Sequence, residues 1–514
     1  MARRSLKYNA AILTVTGFIV KAIGFLYRVF IANSIGTEGL GLYQLMTPIY
    51  SLLVLVLSAG ISVAVSRFVA EEASKGLKHT GVKITSISAG IVLAVGVVIC
   101  GILLLNIDAL VLGTTGDMRT KRSLFWILVF VPPIAAVSAF KGYFYGRQEM
   151  IPNSAGQITE QITKLLFVIF MIGSFRGKGI ESMCLLAVLA MLIGECANVL
   201  VVYIAFLFSN KRSLYELNSN RKENSGAMIK KIIKSALPIS ANRLVLSLIG
   251  TAESLLIPQR LVLSGLSFQE SLKSFGRLTG MASPLVFFPS MLPMSLATAL
   301  VPAIAGAVAA KQYRIANRQI SQSIRLTIIM GLIFTSFFAS CSSELAELVY
   351  PGKDVGSILR LLSFTGVFLY LQHTMLGILN GLARESAILI NTLTGSIIRI
   401  AAIWFLMPIL GVDAYIYAVI AGSIITIAFN FREISKITGI SIDAGQWLIK
   451  PISAAMAGVF FTFIIKTVLT NWNMQARIYR LLIVITAFLT LATIFIVTGI
   501  IKKDDLKRWI IRKH

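Results

Sequence analysis

The chain has 514 residues, of which 56% are hydrophobic and 14% are charged, and its formal net charge is +26. A soluble domain of this size carries about 25% charged residues. Apolar runs of about 20 residues, the length that crosses a bilayer as a helix, recur throughout. The composition excludes a soluble globular protein and predicts an all-α polytopic membrane protein.

Taken in chain order, the apolar runs predict about fourteen transmembrane helices. The predicted spans are 9–32, 43–65, 85–105, 123–140, 153–174, 182–208, 235–258, 278–309, 320–343, 358–381, 387–407, 415–431, 451–469 and 481–501. Lys21 interrupts the first run and no cleavage pattern follows, so we interpret it as a retained helix rather than a signal peptide. Four prolines in 278–309 predict that this span is kinked.

Lysine and arginine collect on alternate connections between these spans. Connections on the side of the N-terminus hold 30 basic residues, and those on the opposite side hold 12. Because cytoplasmic loops carry the excess of basic residues, we expect both termini in the cytoplasm. Basic loops also bind anionic membrane lipids, so the net charge requires no nucleic-acid binding.

Two stretches of the chain match at an offset of 235 residues. The stretch 142–164, "GYFYGRQEMIPNSAGQITEQITK", aligns with 377–399, "GILNGLARESAILINTLTGSIIR". The alignment matches Gly142 with Gly377, Gly146 with Gly381 and Lys164 with Arg399. The glycine pairs have the small-xxx-small spacing that lets membrane helices approach closely.

A second match at the same offset relates 57–76 to 292–311. Six predicted spans separate equivalent positions, an even number, so both repeats have the same orientation. The repeat predicts two six-helix lobes, 1–234 and 235–436, related by a parallel pseudo-twofold axis. Residues 437–514 would add two transmembrane helices and a basic cytoplasmic tail. These helices are expected either to form a groove for a lipid tail or to serve packing and assembly.

Nine charged residues lie deep within the predicted spans, where one charge costs at least about 2.5 kcal/mol. The basic ones are Lys21, Arg28, Lys164, Arg243, Arg399 and Lys466, and the acidic ones are Glu160, Glu195 and Glu253. Residues of this kind usually face protein or water and often mark a transport pathway. Lys466 lies near a span end and is expected to reach the outer surface.

The spacing of these charges leaves several roles open. Lys21 and Arg28 are seven residues apart and share one helix face. Lys164 follows Glu160 by four residues, so a local ion pair and a role in a cavity are both possible. Arg399 has Gly395 in place of that glutamate and needs a partner from another helix or a ligand. Arg243 and Glu253, ten residues apart on one span, are too distant to pair directly.

The remaining polar residues indicate no enzyme site. Gln157 and Gln161 are expected to hydrogen-bond sugar hydroxyls or to join helices. The stretch "GTEGLG" (36–41) predicts a tight outer turn with a solvated Glu38. The four cysteines, Cys100, Cys184, Cys196 and Cys341, have no metal-ligand spacing and are expected to be packing residues. We predict no metal, no cofactor and no catalytic set, hence transport without bond making.

With these residues in view, the chain resembles the polysaccharide-transporter branch of the multidrug/oligosaccharidyl-lipid/polysaccharide (MOP) flippase superfamily. It is most similar to the bacterial stage V sporulation protein B group. The resemblance is carried by 17–76, "GFIVKAIGFLYRVFIANSIGTEGLGLYQLMTPIYSLLVLVLSAGISVAVSRFVAEEASKG", and by 139–164, "AFKGYFYGRQEMIPNSAGQITEQITK". It implies a MATE/MOP-like fold in the bacterial cytoplasmic membrane. It also implies export or flipping of an undecaprenyl-diphosphate-linked saccharide or peptidoglycan precursor, for cell-wall or spore-cortex synthesis.

Relatives that flip the lipid-linked peptidoglycan precursor have a cationic central cavity, and Lys21, followed by Gly24 and Phe25, matches their first-helix basic residue. Such a cavity suits a diphosphate headgroup, because arginine and lysine bind phosphate oxygens strongly. The candidates for substrate binding are therefore Lys21, Arg28, Lys164, Arg243 and Arg399. The candidate polar or acidic cavity residues are Gln157, Glu160, Gln161, Glu195 and Glu253.

The expected mechanism is alternating access, in which the lobes rock while the polyprenyl tail stays in lipid. Expected partners are a polyprenyl-diphosphate-linked saccharide or muropeptide, anionic lipids and cell-wall synthesis enzymes, and we expect a monomer. One alternative is a multidrug cation antiporter of the same superfamily, which would use buried carboxylates. Another is a membrane-embedded glycan ligase or polymerase, for which outer loops of at most about twenty residues are short. A non-transporting scaffold for wall synthesis is the third alternative.

Overall fold

A computed structural model describes residues 6–58, 60–75, 78–214, 225–440, 445–470 and 475–500. All regular secondary structure in these ranges is helical, as the composition predicts. The chain divides into two compact units, Met1–Leu256 and Ile257–His514. The predicted lobe boundaries at 234 and 436 stay a prediction.

Eight α-helices account for most of the first unit, and the last of them runs past the division. They are α1 (Leu6–Ser58), α2 (Ile61–Ser74), α3 (Lys78–Leu105), α4 (Ile107–Thr114), α5 (Lys121–Gly146), α6 (Ile151–Phe175), α7 (Ile180–Leu214) and α8 (Ser225–Val262). A short 3-10 turn, Met118–Thr120, precedes α5.

Ten further α-helices follow in the second unit. They are α9 (Phe268–Phe275), α10 (Ser283–Phe287), α11 (Met291–Ala309), α12 (Tyr313–Val349), α13 (Gly356–Ser363), α14 (Gly366–Gly381), α15 (Glu385–Leu410), α16 (Val412–Thr438), α17 (Lys450–Thr470) and α18 (Ala476–Val497). In the span 278–309, where a kink is predicted, a π-helical segment and a 3-10 turn interrupt the regular α-helix on either side of α10.

Among the described residues, 12 helices are long and apolar enough to cross a membrane, or 13 if a bent pair is one span. The first of these, Ile12–Ser74, is 63 residues long and takes in two predicted spans. The bent pair is α13 and α14, which meet at 47° within the predicted span 358–381. The prediction of a polytopic helical membrane protein is confirmed, and the number of crossings stays a prediction.

At the predicted tight turn 36–41, two helical segments meet at the single non-helical residue Gly36, with no solvated loop between them. Helix α1 continues through this stretch and is broken only at Gly36, whose φ of 74° lies in the left-handed region that glycine tolerates best. The residues that follow the break are buried, including Leu40 and Leu42. A single glycine therefore joins two predicted spans where the sequence suggested a solvated loop.

Each unit has its own apolar core. In the first unit, α2, α3, α5 and α7 meet around Tyr143, Phe144 and Phe206. In the second unit, α11, α12, α14 and α16 meet around Ile304, Ile324 and Ile378.

Close helix packing at the paired glycines recurs within each unit. A Cβ atom added to Gly142 in α5 would lie 2.5 Å from the carbonyl oxygen of Ser62 in α2. A Cβ atom added to Gly377 in α14 would lie 2.6 Å from the carbonyl oxygen of Ala297 in α11. Both residues of the second contact are 235 positions after those of the first.

The same relation holds one helical turn further along. A Cβ atom on Gly146 would meet the carbonyl oxygen of Ser66, and one on Gly381 would meet that of Val301. The offset found in the sequence thus recurs in the packing inside each unit, while the axis relating the repeats stays a prediction.

The last two helices, α17 and α18, pack against α12. Ile329 of α12 joins Ala454, Ala455 and Phe495 in one buried cluster. Cys341 of α12 joins residues of α18 in another. The half-buried side chain of Lys466 lies 2.8 Å from Glu344 of α12 in an ion pair, and its reach to the outer surface stays a prediction. The two helices thus contact α12 through apolar and ionic contacts.

Candidate functional site

Two basic residues of α1 lie on one exposed face. Lys21 and Arg28 are both exposed, and Gly24 lies between them on the same face. The flanking chain is strongly apolar, since Leu26 and Phe18 are exposed to the same surroundings. An exposed cation within an apolar span needs water, a polar partner or an anionic ligand.

A buried ion pair in the first unit joins two side chains of α6. Lys164 Nζ lies 2.5 Å from Glu160 Oε1, and both side chains are only 11% exposed. Asn198 of α7 donates a hydrogen bond from Nδ2 to Glu160 Oε2 at 3.1 Å. The local ion pair that the spacing allowed is therefore formed.

The sequence of α7 makes room for this pair. Gly194 lies against the stem of Lys164, and a Cβ atom there would lie 2.9 Å from the carbonyl oxygen of Glu160. Gly156 of α6 likewise faces Asn198. The two glycines let α6 and α7 approach closely, which buries the ion pair between them.

Gln161 links this cluster to the basic face of α1. Its Nε2 donates a hydrogen bond to Glu160 Oε1 at 3.0 Å. Its Oε1 faces α1, where a Cβ atom on Gly24 would lie 3.2 Å from it. Gln157, one turn earlier on α6, is half-buried. Of the predicted site residues, the structure thus brings Glu160, Gln161 and Lys164 together beside the segment that carries Lys21 and Arg28.

Glu195 follows Gly194 on α7 and belongs to the same cluster. Its half-buried carboxylate interacts with Glu160, Lys164 and Tyr50. Lys141 of α5 is a more distant neighbour. The cluster therefore contains two carboxylates beside the one ammonium group of Lys164.

The two candidate residues of α8 lie apart from each other. Glu253 is buried, at 7% exposure, whereas Arg243 is exposed. Their place in a binding cavity stays a prediction.

Arg399 lies in the second unit on α15, at a helix contact that resembles the α6–α7 contact. Gly395 of α15 faces Thr426 of α16, and a Cβ atom on Gly422 would lie 3.5 Å from the Cβ of Arg399. One turn earlier, Asn391 donates a hydrogen bond to Asn430 at 2.9 Å. Glycine and threonine here replace the glutamate and asparagine of the first unit, so α15 supplies no carboxylate at that position.

The expectation that Glu38 is solvated is wrong. Glu38 is 8% exposed, and its Oε1 lies 2.8 Å from Arg119 Nη1. Arg119 also forms an ion pair with Asp117, whose Oδ2 lies 2.6 Å from Arg119 Nη2. Buried carboxylates need such partners, so an acidic residue inside a long apolar stretch was the signal that could have located this ion-pair group.

Within the described residues, no group of three or more His, Cys, Asp or Glu side chains is placed to hold a metal ion. The charged groups that are present suit electrostatic binding and proton exchange. The arrangement offers cations on an exposed face of α1 and a buried mixed cluster behind it.

The chain matches two protein-family models and is similar to known bacterial proteins. A model of the family described as polysaccharide biosynthesis protein matches residues 6–308, and the MatE model matches residues 279–405. Stage V sporulation protein B of Bacillus subtilis (strain 168) is 26% identical over 510 residues, covering 99% of this chain and 98% of that protein. Lipid II flippase MurJ of the same organism is 24% identical over 469 residues, covering 84% of this chain and 82% of that protein.

The fold also matches solved structures. The chain aligns with lipid II flippase MurJ in an inward closed conformation with a TM-score of 0.68. The match covers 97% of this chain and 99% of that chain at 14% identity. At this identity the likeness shows the fold alone, an all-helical fold shared with that solved membrane protein.

Proposed function

Since the chain belongs to the polysaccharide biosynthesis protein family, we propose that it moves a lipid-linked, phosphorylated saccharide across a membrane by alternating access. The substrate would be an undecaprenyl-diphosphate-linked saccharide or peptidoglycan precursor. Transport of this kind makes no covalent bond, so the protein would not be an enzyme.

The observation that carries the proposal is the exposed pair of cations, Lys21 and Arg28, within the apolar span of α1. Charged side chains within membrane spans usually face protein or water and often mark a transport pathway. A diphosphate offers several oxygens to guanidinium and ammonium groups. Arg399, at the matching contact of the second unit, is a further candidate cation.

Relatives support the substrate class. Both lipid II flippase MurJ and stage V sporulation protein B align over most of this chain. We propose that the protein is a monomer in the bacterial cytoplasmic membrane. The distribution of basic loops supports a cytoplasmic location for both termini. Its product would be used by cell-wall or spore-cortex synthesis enzymes.

Reconstitution in liposomes tests the proposal directly. A fluorescent polyprenyl-diphosphate disaccharide is added to one leaflet, and its arrival in the other is measured with a membrane-impermeant quencher. Lys21→Ala and Arg399→Ala are expected to lower the rate about tenfold or more, the effect of losing roughly 1.4 kcal/mol of headgroup binding. Lys83→Ala and Arg314→Ala, at exposed residues outside the candidate set, are the matched controls. Unchanged rates in both test variants would contradict the cavity assignment.

A multidrug cation antiporter is the second candidate, favoured by the MatE match and by the buried carboxylate of Glu195. It would bind organic cations, which exposed lysine and arginine repel. Cells that lack the protein and cells that overproduce it are compared for resistance to cationic drugs. A resistance change that depends on Glu195, without flipping of the diphosphate lipid, would favour the antiporter.

A further inference from the structure

A groove in the first unit lies between α1 and α6 and reaches the start of α7. Its volume is about 560 Å³, which is within the range of small-molecule sites. Most of its lining is apolar and consists of Leu26, Val29, Phe30, Leu165, Ile172 and Met183. Leu26 is 58% exposed, so the groove is open to the surroundings of the protein on one side.

Two close contacts of α1 bound this groove. A Cβ atom on Gly24 would lie 3.2 Å from Gln161 Oε1 of α6, and one on Gly39 would lie 3.9 Å from Ile180 Cγ2 of α7. Between these contacts α1 is broken at Gly36. The lining residues of α1 also lie between them, so the groove is a gap between helices that touch on either side of it.

The polar residues of the lining leave one charge for a ligand. Ser34 donates a hydrogen bond from Oγ to the carbonyl oxygen of Phe30 at 2.7 Å, and Asn33 donates one from Nδ2 to that of Val29 at 3.1 Å. Arg176, which directly follows α6, is exposed, and its guanidinium group forms no ion pair with any residue that the structure describes. A guanidinium group binds phosphate oxygens through two parallel hydrogen bonds.

The length of the groove matches one leaflet of a bilayer. Leu165 and Arg176 line it eleven positions apart along the chain. Eleven residues of α-helix rise about 16 Å, and half of a hydrocarbon core is about 15 Å thick. Arg176 lies in a connection of the less basic set, which predicts that this end of the groove faces the outer leaflet.

We propose that this groove binds one anionic glycerophospholipid of the outer leaflet, with an acyl chain along the apolar lining and the phosphate at Arg176. The charges are complementary, because phosphatidylglycerol carries a single negative charge and Arg176 supplies a single positive one. A diphosphate lipid carries more negative charge, part of which would stay unpaired beside an apolar surface. The site does not depend on what the protein transports.

Photocrosslinking tests the site in the full-length protein. The protein is reconstituted in phosphatidylcholine liposomes that contain a trace of phosphatidylglycerol with a diazirine on one acyl chain, and mass spectrometry locates the adducts after irradiation. We expect adducts on Leu165, Ile172 or Met183. Unlabelled phosphatidylglycerol should displace the probe at a concentration about tenfold lower than added phosphatidylcholine does, because charge-assisted hydrogen bonds favour the anionic headgroup.

Two pairs of variants separate headgroup binding from chain binding. Arg176→Ala should lower the adduct yield about tenfold, whereas Lys178→Ala, at an exposed cation of the same connection, should leave it unchanged. Ile172→Trp fills the groove and should abolish the adducts, whereas Leu166→Trp, at an exposed residue of α6 outside the lining, should retain them. Thermal unfolding in detergent shows that each variant is folded. If Ile172→Trp does not fold, the Arg176→Ala and Lys178→Ala pair decides the result.

Several results would overturn the proposal. Adducts that avoid the groove would do so, as would equal displacement by the two phospholipids or an equal loss of adducts in Lys178→Ala and Arg176→Ala. Displacement by undecaprenyl diphosphate at a lower concentration than phosphatidylglycerol would assign the groove to the lipid of the proposed substrate instead. Flipping of the fluorescent polyprenyl-diphosphate disaccharide is measured separately, and its failure would contradict the proposed function while the adducts still decide the phospholipid site.

Discussion

Lys164 and Arg399 match in the sequence repeat but differ in their surroundings. Lys164 has Glu160 one turn before it and forms a buried ion pair with it. Arg399 has Gly395 at that position, facing Thr426. A single exchange of glutamate for glycine therefore separates a cation that is neutralised within its own helix from one that is not.

Removing the ammonium group of Lys164 should destabilise the protein strongly. Lys164→Met leaves the Glu160 carboxylate buried without its charge partner, which is expected to lower the free energy of unfolding by about 3–5 kcal/mol. Glu160→Gln combined with Lys164→Met removes both charges and should recover most of that loss. Denaturant titration in detergent micelles measures both variants. Equal losses in the single and double variants would show that the ion pair is not the cause.

At this scale, the sequence predicted which charges lie in the spans but not which of them pair. An i,i+4 spacing was enough to anticipate the Glu160–Lys164 contact, because both residues share one helix. The partners of Glu38 and Lys466 are 81 and 122 residues away, and no periodicity indicates such distant contacts.

Helix packing is controlled by glycines whose missing side chain admits the backbone of a neighbour. The contact of α5 with α2 at Gly142 recurs in that of α14 with α11 at Gly377. The spacing of small residues predicted close approach but not the partner helix. The partner emerges only from the fold, since any of several apolar helices could fill such a surface.

Adding a methyl group at these contacts should separate the helices. Gly142→Ala and Gly377→Ala are each expected to cost about 1–3 kcal/mol of stability, because the new Cβ atom would overlap a backbone carbonyl. Gly101→Ala in α3 meets open space, so it should leave stability unchanged or raise it by up to about 1 kcal/mol through helix propensity. Thermal unfolding in detergent compares the three. A loss for Gly101→Ala equal to the others would contradict the packing explanation.

The Glu38–Arg119 ion pair fastens α1, just after its break, to the turn before α5. Arg119→Ala leaves both Glu38 and Asp117 without their cation, and we expect a loss of about 2–3 kcal/mol. The matched control is Lys121→Ala, which removes an exposed ion pair with Asp108 and should cost at most about 1 kcal/mol.

Unfolding midpoints in detergent provide the comparison for this pair of variants. If Lys121→Ala proved as costly as Arg119→Ala, burial of the Glu38 pair would not be what gives it strength. Glu38→Gln should repeat most of the effect of Arg119→Ala, since it breaks the same link from the other side.

For the whole molecule, the sequence already predicted a polytopic helical protein with internal repetition. Hydropathy located the spans because each apolar run must satisfy its backbone inside a bilayer. Hydropathy could not show that the first two runs meet at a single residue, because glycine adopts the left-handed conformation both in loops and at helix breaks. The sequence allowed two roles for the last two helices, a groove for a lipid tail or a packing element. Their burial against α12 favours packing.

Topology in the membrane follows from charge and should be open to chemical labelling. In a Cys196→Ala background the remaining cysteines are buried. A membrane-impermeant maleimide applied to intact cells should label Asp354→Cys, on the expected outer side. Lys75→Cys should react only after permeabilisation, because its loop belongs to the basic, cytoplasmic set. The reverse pattern would invert the orientation.

The break at Gly36 affects where an epitope tag or a fluorescent protein can be inserted into this chain. A diagram of two crossings joined by a loop would suggest the stretch between them as an insertion point, yet Ala32, Leu40 and Leu42 there are buried. An epitope or fluorescent fusion placed in this stretch would disrupt the buried junction of two helical segments at Gly36. Lys311 and Gln312 are exposed and lie in the turn between α11 and α12, so an insertion there would disturb no buried side chain of the turn. This turn is the better insertion point for a reporter.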